Sequence, residues 1–278
     1  MLRQAIIPLA GLGTRLLPLS SITPKELLPI NGKSNLEHIL DECIDAGIKE
    51  FIFIISKKKE SIRKYFFNDQ FYKSILEKKK DKRIKQAYQK LKRYKKMIKF
   101  VYQNKPRGTG DAILKTQRLI KGPYFLMLFP DDLIIKKNCT KEMISLHKKT
   151  KGSIIATKPV NKKTVSRWGI LDRKKIKKDY FEISDVVEKP SFKKAPSNYA
   201  IIGRYILPKI IMKKLKKLKP GQGGEIHITD AIRQLIYEGE KFYGNIFKGK
   251  YLDCGTLNGY VNSTVEILKE KNKWKFVW

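Results

Sequence analysis

The run "FIFIIS" at positions 51–56 is apolar almost throughout. Successive strand residues point to opposite faces of a sheet, so a strand with one wet face alternates apolar and polar side chains. A strand without that alternation is buried on both faces, which requires helices above and below the sheet. The preceding stretch "SNLEHILDECIDAG", 34–47, supplies such a helix. Its Leu36, Ile39, Leu40, Cys43 and Ile44 fall on one face, Ser34 and Glu37 are spaced as a capping box, and Gly47 fits the stop. Strand-like "QAIIPLA", "MIKFVYQ", "YFLMLFP" and "GSIIATKPV" follow the same logic. Between them, "GDAILKTQRLI" reads as a helix, and residues 71–99 read as one long, lysine-laced helical excursion. Later, "WGILD", "YFEISDVVEKP" and "NYAIIGRYILP" read as strands of a mixed or antiparallel portion. "TDAIRQLIYEG", started by Thr229, and "TLNGYVNSTVEILKE" read as helices. The pattern predicts an α/β fold with a central mixed, mostly parallel sheet flanked by helices. No repeat or low-complexity linker divides it, so 1–278 is expected to form a single domain.

Lys and Arg outnumber Asp and Glu by 61 to 26, a formal charge of +35. Such a surplus attracts polyanions. The lysines, including the runs at 57–59, 78–80 and 174–178, are spread along the chain and accompany many Ile and Asn residues. Compositional bias accounts for that distribution better than a dedicated nucleic-acid surface. Cys43, Cys139 and Cys254 are far apart, as are His38, His147 and His227, so zinc-type spacing is absent and buried, reduced thiols are expected. No apolar run approaches the ~20 residues that span a bilayer. The opening "MLRQAIIPLAG" lacks the charged, apolar and small-residue regions of a signal peptide, giving the expectation of a cytoplasmic protein.

The stretch "LAGLGTRLLPLSSITPKELLP", 9–29, leaves the first strand through a glycine turn. Gly11 and Gly13 permit unusual backbone dihedrals and close approach of a ligand. A turn leaving a parallel strand lies at the carboxyl edge of the sheet, where α/β ligands bind. GK[ST] is missing, and so is the third glycine of a dinucleotide fingerprint, so the turn alone is equally compatible with a structural role. Arg15 can grip phosphate oxygens bidentately, and Lys25, held with Glu26 between Pro24 and Pro29, offers a compact charge. Asp131 and Asp132 directly follow "YFLMLFP", suiting either a divalent cation or a simple turn. Glu188 and Lys189 in "VVEKP" are either an exposed strand-end pair or, at a strand end or bulge, two groups facing one ligand.

Taken together, "LAGLGTRLLP…PKELLPI", "ECIDAGIKEFIFI", "FPDDLI", "VVEKPSFKKAPSNYAIIGRYIL", "GGEIHITDAI" and "YLDCGTLNGY" resemble the sugar-nucleotide pyrophosphorylases, in their UTP–glucose-1-phosphate uridylyltransferase branch. The helical "LEKKKDKRIKQAYQKLKR" resembles an excursion of that branch. The resemblance implies a Rossmann-like nucleotidyltransferase fold of glycosyltransferase-A type, with 1–160 mainly binding nucleotide and 161–278 mainly sugar phosphate. It implies UTP and glucose 1-phosphate as substrates, Mg²⁺ as cofactor, and a homo-oligomer, while composition and apolar run length give the expectation of neither a membrane nor a nucleic-acid partner. It assigns Ala10, Gly11, Gly13 and Thr14 to the nucleotide, Arg15, Lys25 and Lys189 to catalysis, and Glu26, Gln103 and Gly108 to uracil and ribose. Asp131 and Asp253 fall to the metal, while Asp132, Gly169, Glu188 and Lys189 fall to the sugar phosphate. Trp168 stands where the family often has Tyr. Thr109 and Asp111 depart from the family's "GLGHA"-like turn, and Asp111 is expected to cap the next helix. The glycines at 221–224 are expected to form a mobile loop, Glu225 is assigned no firm role, and His227 is not expected to be catalytic. Two alternatives are a thymidylyltransferase and a non-catalytic nucleic-acid-binding module.

Overall fold

The computed structural model describes residues 2–270. β1 (Gln4–Pro8) runs into the glycine turn, and a short hairpin of β2 (Pro29–Ile30) and β3 (Lys33–Ser34) brings the chain to α1 (Asn35–Asp45). The hairpin turns at Asn31 and Gly32, both with positive φ (49° and 74°), as the favoured two-residue hairpin loop requires. The capping box at α1 is present in full: the Ser34 hydroxyl accepts from the Glu37 N–H, and the Glu37 carboxylate accepts from the Ser34 N–H. β4 (Glu50–Ile55) follows. Its Phe51, Phe53 and Ile55 pack into one apolar layer and its Ile52 and Ile54 into the other, so the strand is buried on both faces.

α2 (Glu60–Phe67), α3 (Asp69–Lys78) and α4 (Lys82–Lys95) form the excursion, which corrects the expectation of one continuous helix. Lys79, at the end of α3, is extended, and the Asp81 carboxylate accepts from the N–H groups of Arg83 and Ile84, starting a new helix. The stacked rings of Tyr72 and Tyr88, 5.2 Å apart, join the two pieces. β5 (Ile98–Tyr102) re-enters the sheet, and α5 (Thr109–Leu114) is shorter than the helix expected over 110–120, giving way to a 3-10 turn.

The remaining elements are β6 (Tyr124–Leu128), β7 (Asp132–Ile135), α6 (Cys139–Thr150), β8 (Ser153–Pro159), β9 (Gly169–Lys174), β10 (Tyr180–Glu188), β11 (Tyr199–Pro208), α7 (Ile211–Leu215), α8 (Ile228–Tyr237), β12 (Phe242–Ile246), β13 (Lys250–Asp253) and α9 (Leu257–Glu270). Among the described residues, nine strands form one sheet in the order β5-β4-β1-β6-β11-β8-β12-β10-β9. Only β10 and β11 run against the other strands, so the sheet is mixed and mostly parallel. β11 lies between β6 and β8 and knits the later part of the chain into the earlier one.

At the centre, Arg204 of β11 is fully buried and pairs with Glu42 of α1, Nη2 to Oε2 at 2.9 Å and Nε to Oε1 at 3.3 Å. The same guanidinium donates to the carbonyls of Phe129 and Gly203, each at 3.4 Å. Burial disfavours its charge, but Glu42 more than compensates and raises its pKa. Breaking a buried pair strands a charge at a cost of about 3–5 kcal/mol. Arg204→Met is expected to lower the unfolding free energy by about that much in urea titrations, and adding Glu42→Gln should recover part of the loss.

Nearby, burial raises the Glu37 pKa, yet hydrogen bonds from the Tyr65 hydroxyl and the Ser34 N–H, with the Lys90 charge, leave it lowered overall. A carboxylate depressed in the folded state stabilises above its unfolded pKa of about 4.3, and that contribution is lost as pH falls through the folded value. Tyr65→Phe should therefore melt below the unaltered protein at pH 7, with the difference shrinking as pH drops through about 4. A gap independent of pH would exclude this linkage.

Candidate active site

The chain leaves β1 at the carboxyl edge of the sheet and turns at Gly13, whose φ of 72° favours glycine. A Cβ there would also press on Ser20, whose hydroxyl donates to the Gly13 carbonyl at 2.8 Å. Gly11 differs from expectation: its φ is not in the left-handed region and a Cβ would meet nothing within 4 Å. It lines the cavity described below, so what its bare backbone offers is close approach. Arg15 projects from the turn with 61% of its side chain exposed, whereas Lys25 is nearly enclosed at 14%.

β6 lies beside β1, so Asp131, just beyond its end, faces the glycine turn. Lys25 donates to Asp131 Oδ2 at 2.5 Å, and Arg15 lies 3.6 Å from the same oxygen. Burial alone would lower the Lys25 pKa, but the Asp131 and Glu26 charges outweigh it and hold the ammonium above its usual value. Burial likewise opposes ionisation of Asp131, and Lys25 reverses that, keeping its pKa low. Asp132 behaves oppositely. Burial, then the neighbouring Asp131 charge, push its pKa up, although Tyr251 donates to Oδ1 at 2.6 Å.

β7 and β13 pair antiparallel and set Asp132 opposite Asp253. Asp253 Oδ1 accepts from the Gly255 N–H at 2.8 Å. A Cβ on Gly255 would lie 2.7 Å from Asp131 Oδ2, 3.0 Å from Arg15 Nη2 and 3.1 Å from Asp253 Oδ1. Both carboxylates thus border residue 255, where any side chain would press on them and on Arg15. Two anionic oxygens suit a hard cation such as Mg²⁺, which takes few protein ligands and completes its shell with phosphate and water. Among the described residues no group of three or more His, Cys, Asp or Glu is gathered so as to hold a metal ion.

On the far side of the cavity, β10 ends at Glu188, and Lys189 adopts a φ of 43°, which a lysine rarely takes. That twist lets both line the same space, and the Lys189 N–H donates to the Trp168 carbonyl at 2.9 Å. Thr229 does not start α8, which begins at Ile228 with His227 at the cap position. Its hydroxyl instead donates to Glu188 Oε2 at 3.0 Å. A Cβ on Gly169 would stand 2.9 Å from Ile201 and 3.2 Å from Glu188 Oε2, so glycine leaves room for that carboxylate.

At the opposite end, Glu26 is 1% exposed, and Lys59 donates to both of its carboxylate oxygens at 2.8 Å. Burial pushes the Lys59 pKa down despite Glu26. Gln103, 5% exposed, donates through Nε2 to Asp111 Oδ2 at 2.7 Å and to the Gly108 carbonyl at 3.1 Å. Asp111 therefore does not cap α5, whose cap position is Gly108 without a side-chain bond. The loop holding Ile226 packs over Gly108 and Gly110, where a Cβ would meet Ile226 backbone or side-chain atoms at 2.6–2.9 Å.

These groups enclose a cavity of about 820 Å³ that adjoins a second of about 210 Å³. Ala10, Gly11, Thr14, Arg15, Lys25, Glu26, Gln103, Gly108, Asp131, Asp132, Lys189 and Asp253 line the larger, while Gly169 and Glu188 line the smaller together with Asp132 and Lys189. Gly13 shapes the turn from outside. Glu225 lines both cavities and His227 the smaller. Sequence reasoning missed Lys59, hidden in the run 57–59, and Arg167, Tyr251 and Gly255 around the carboxylates. Tyr251 and Gly255 both lay within the quoted "YLDCGTLNGY", a stretch already singled out.

A family model described as nucleotidyl transferase matches residues 4–270. The chain belongs to this family. It is 35% identical to UTP–glucose-1-phosphate uridylyltransferase 1 of Staphylococcus saprophyticus over 95% of this chain and 92% of that protein. It is 34% identical to the UTP–glucose-1-phosphate uridylyltransferase of Bacillus subtilis over 95% and 90%. The crystal structure of a UDP-glucose pyrophosphorylase complexed with UDP-glucose is similar with a TM-score of 0.85 at 33% identity, covering 97% of this chain and 100% of that one. Within this nucleotidyl transferase, Lys59→Met would leave Glu26 buried and unpaired. It should cost about 3 kcal/mol in urea unfolding, with Lys59→Arg losing clearly less. Equal stability of Lys59→Met and the unaltered protein would remove the pair from the structure's essential contacts.

Proposed function

We propose that the chain transfers the uridylyl group of UTP to glucose 1-phosphate, releasing pyrophosphate and forming UDP-glucose. The observation that carries this reading is the convergence of Arg15, Lys25, Asp131, Lys189 and Asp253 on one cavity, with Glu188 beside it. The phosphate of glucose 1-phosphate is already anionic, so its attack on the α-phosphorus needs no general base. The obstacle is repulsion between two polyanions, which positioning and fixed charge must overcome. Arg15 and Lys25 hold the triphosphate and offset charge on the departing pyrophosphate, while Lys189 holds the attacking phosphate. Glu188 and the backbone at Gly169 meet the hexose, and Glu26, Gln103 and Gly108 border the nucleoside. Asp131 and Asp253 would hold Mg²⁺, which when bound supplies charge neutralisation and Lewis acidity. In this reading the chain is one working unit, with 1–160 mainly serving nucleotide and 161–278 mainly sugar phosphate. The relatives' names support the choice of UTP and glucose 1-phosphate.

No helix among the described residues is long and apolar enough to cross a membrane, and a cytoplasmic location is part of the proposal. So is a homo-oligomer, supported by the exposed apolar row Leu257, Val261, Val265 and Leu268 along α9.

Purified protein given glucose 1-phosphate and UTP should release pyrophosphate only when Mg²⁺ is added. Preference for dTTP would move the assignment to thymidylyl transfer. Salt-sensitive RNA binding without pyrophosphate release would favour the binding-module reading. Lys25→Ala should lower turnover by roughly 10²-fold or more, the usual loss for one preorganised charge stabiliser; near-normal turnover in a folded variant would sink the role given to Lys25.

A further inference from the structure

Gln103 presents an amide, whose two ends differ in chemistry: the NH₂ donates and the carbonyl accepts. The two groups facing its Nε2 are Asp111 Oδ2 at 2.7 Å and the Gly108 carbonyl at 3.1 Å, and both are acceptors. Their chemistry forces the NH₂ end toward them, whichever way the amide is drawn. The carbonyl end, Oε1, takes no hydrogen bond among the described residues, and Gln103 lines the larger cavity. Asp111 does not line it and lies behind Gln103, in the first turn of α5.

We propose that Asp111 is a positioning residue for base selection. By engaging the Gln103 NH₂ it turns the Gln103 carbonyl toward the nucleotide, so that the site takes a pyrimidine carrying N–H at ring position 3 and rejects cytosine. Uracil and thymine both offer that N–H to an acceptor. Cytosine presents a lone pair at the same position, and acceptor would face acceptor. A site built around one such hydrogen bond discriminates strongly against an analogue that leaves its polar group unpaired. Without Asp111, the Gly108 carbonyl alone would hold the amide, and the flipped orientation, which offers NH₂ to the base, would become accessible.

This inference rests on the placement of the base beside Gln103 in the proposed uridylyl transfer. The test compares kcat/KM for UTP, dTTP and CTP in the unaltered protein and in Asp111→Ala, Asp111→Asn and Gln103→Leu. Asp111→Ala is expected to reduce the UTP-to-CTP preference about tenfold or more, chiefly through the KM for UTP, and to leave the UTP-to-dTTP preference unchanged. Asp111→Asn, which keeps an oxygen acceptor for the Gln103 amide, should retain most of the UTP-to-CTP preference. A merely structural role for Asp111 would lower activity with all three nucleotides alike. If Asp111→Ala keeps its preference while Gln103→Leu loses it, the role of Asp111 is overturned and the base placement stands. If Gln103→Leu keeps it too, the base does not sit at Gln103 and both readings fall.

Discussion

The buried pair of Arg204 with Glu42 holds the central strand β11 to helix α1, and the carbonyls of Phe129 and Gly203 share the same guanidinium. Phe129 stands two residues before Asp131, and a Cβ on Gly203 would lie 2.1 Å from Asp132 Oδ2. One charged group therefore fixes the backbone on either side of the carboxylates on which the site is built. A buried ion pair is rarely the cheapest way to gain stability. Its value here is geometric, because five donors in a rigid fork can set several acceptors at once.

With 61 cationic and 26 acidic side chains, carboxylates are the scarce resource of this chain. The site concentrates them and alternates them with cations: Lys59 on Glu26, Lys25 and Arg15 on Asp131, Arg167 near Asp253, Lys189 near Glu188. That alternation keeps opposite charges partnered in a partly enclosed space, where unpaired charge is most costly. In the proposed uridylyl transfer, a polyanionic substrate would exchange these internal partners for its own oxygens.

Much of this was legible along the chain. "FIFIIS" dictated burial on both faces, and Ser34 with Glu37 announced the start of α1. The "NG" at 31–32 carried an equally explicit hairpin signal that went unread, as did Asp81, a helix-starting residue directly after the lysine run 78–80 that breaks the excursion into α3 and α4. Lys59 was not legible: three consecutive lysines look alike, and only the approach of the loop carrying Glu26 singles out the third. Thr229 and Asp111 misled for the same reason. Each has the chemistry of a helix cap and lies near a helix start, but a more distant partner, Glu188 or Gln103, claims its side chain.

The sequence by itself determined the layers, the glycine turn after β1 and the polar groups that could meet at the sheet's carboxyl edge. Hydrophobic period and turn chemistry are local properties, readable within a few residues. Only the tertiary structure decided which groups pair with which: Asp131 with Lys25 across 106 positions, Glu26 with Lys59 across 33, Asp132 opposite Asp253 on two strands outside the main sheet. Hydrogen bonds and ion pairs act over a few ångströms, and distance in space between such residues is set by packing of the whole sheet, not by their separation along the chain.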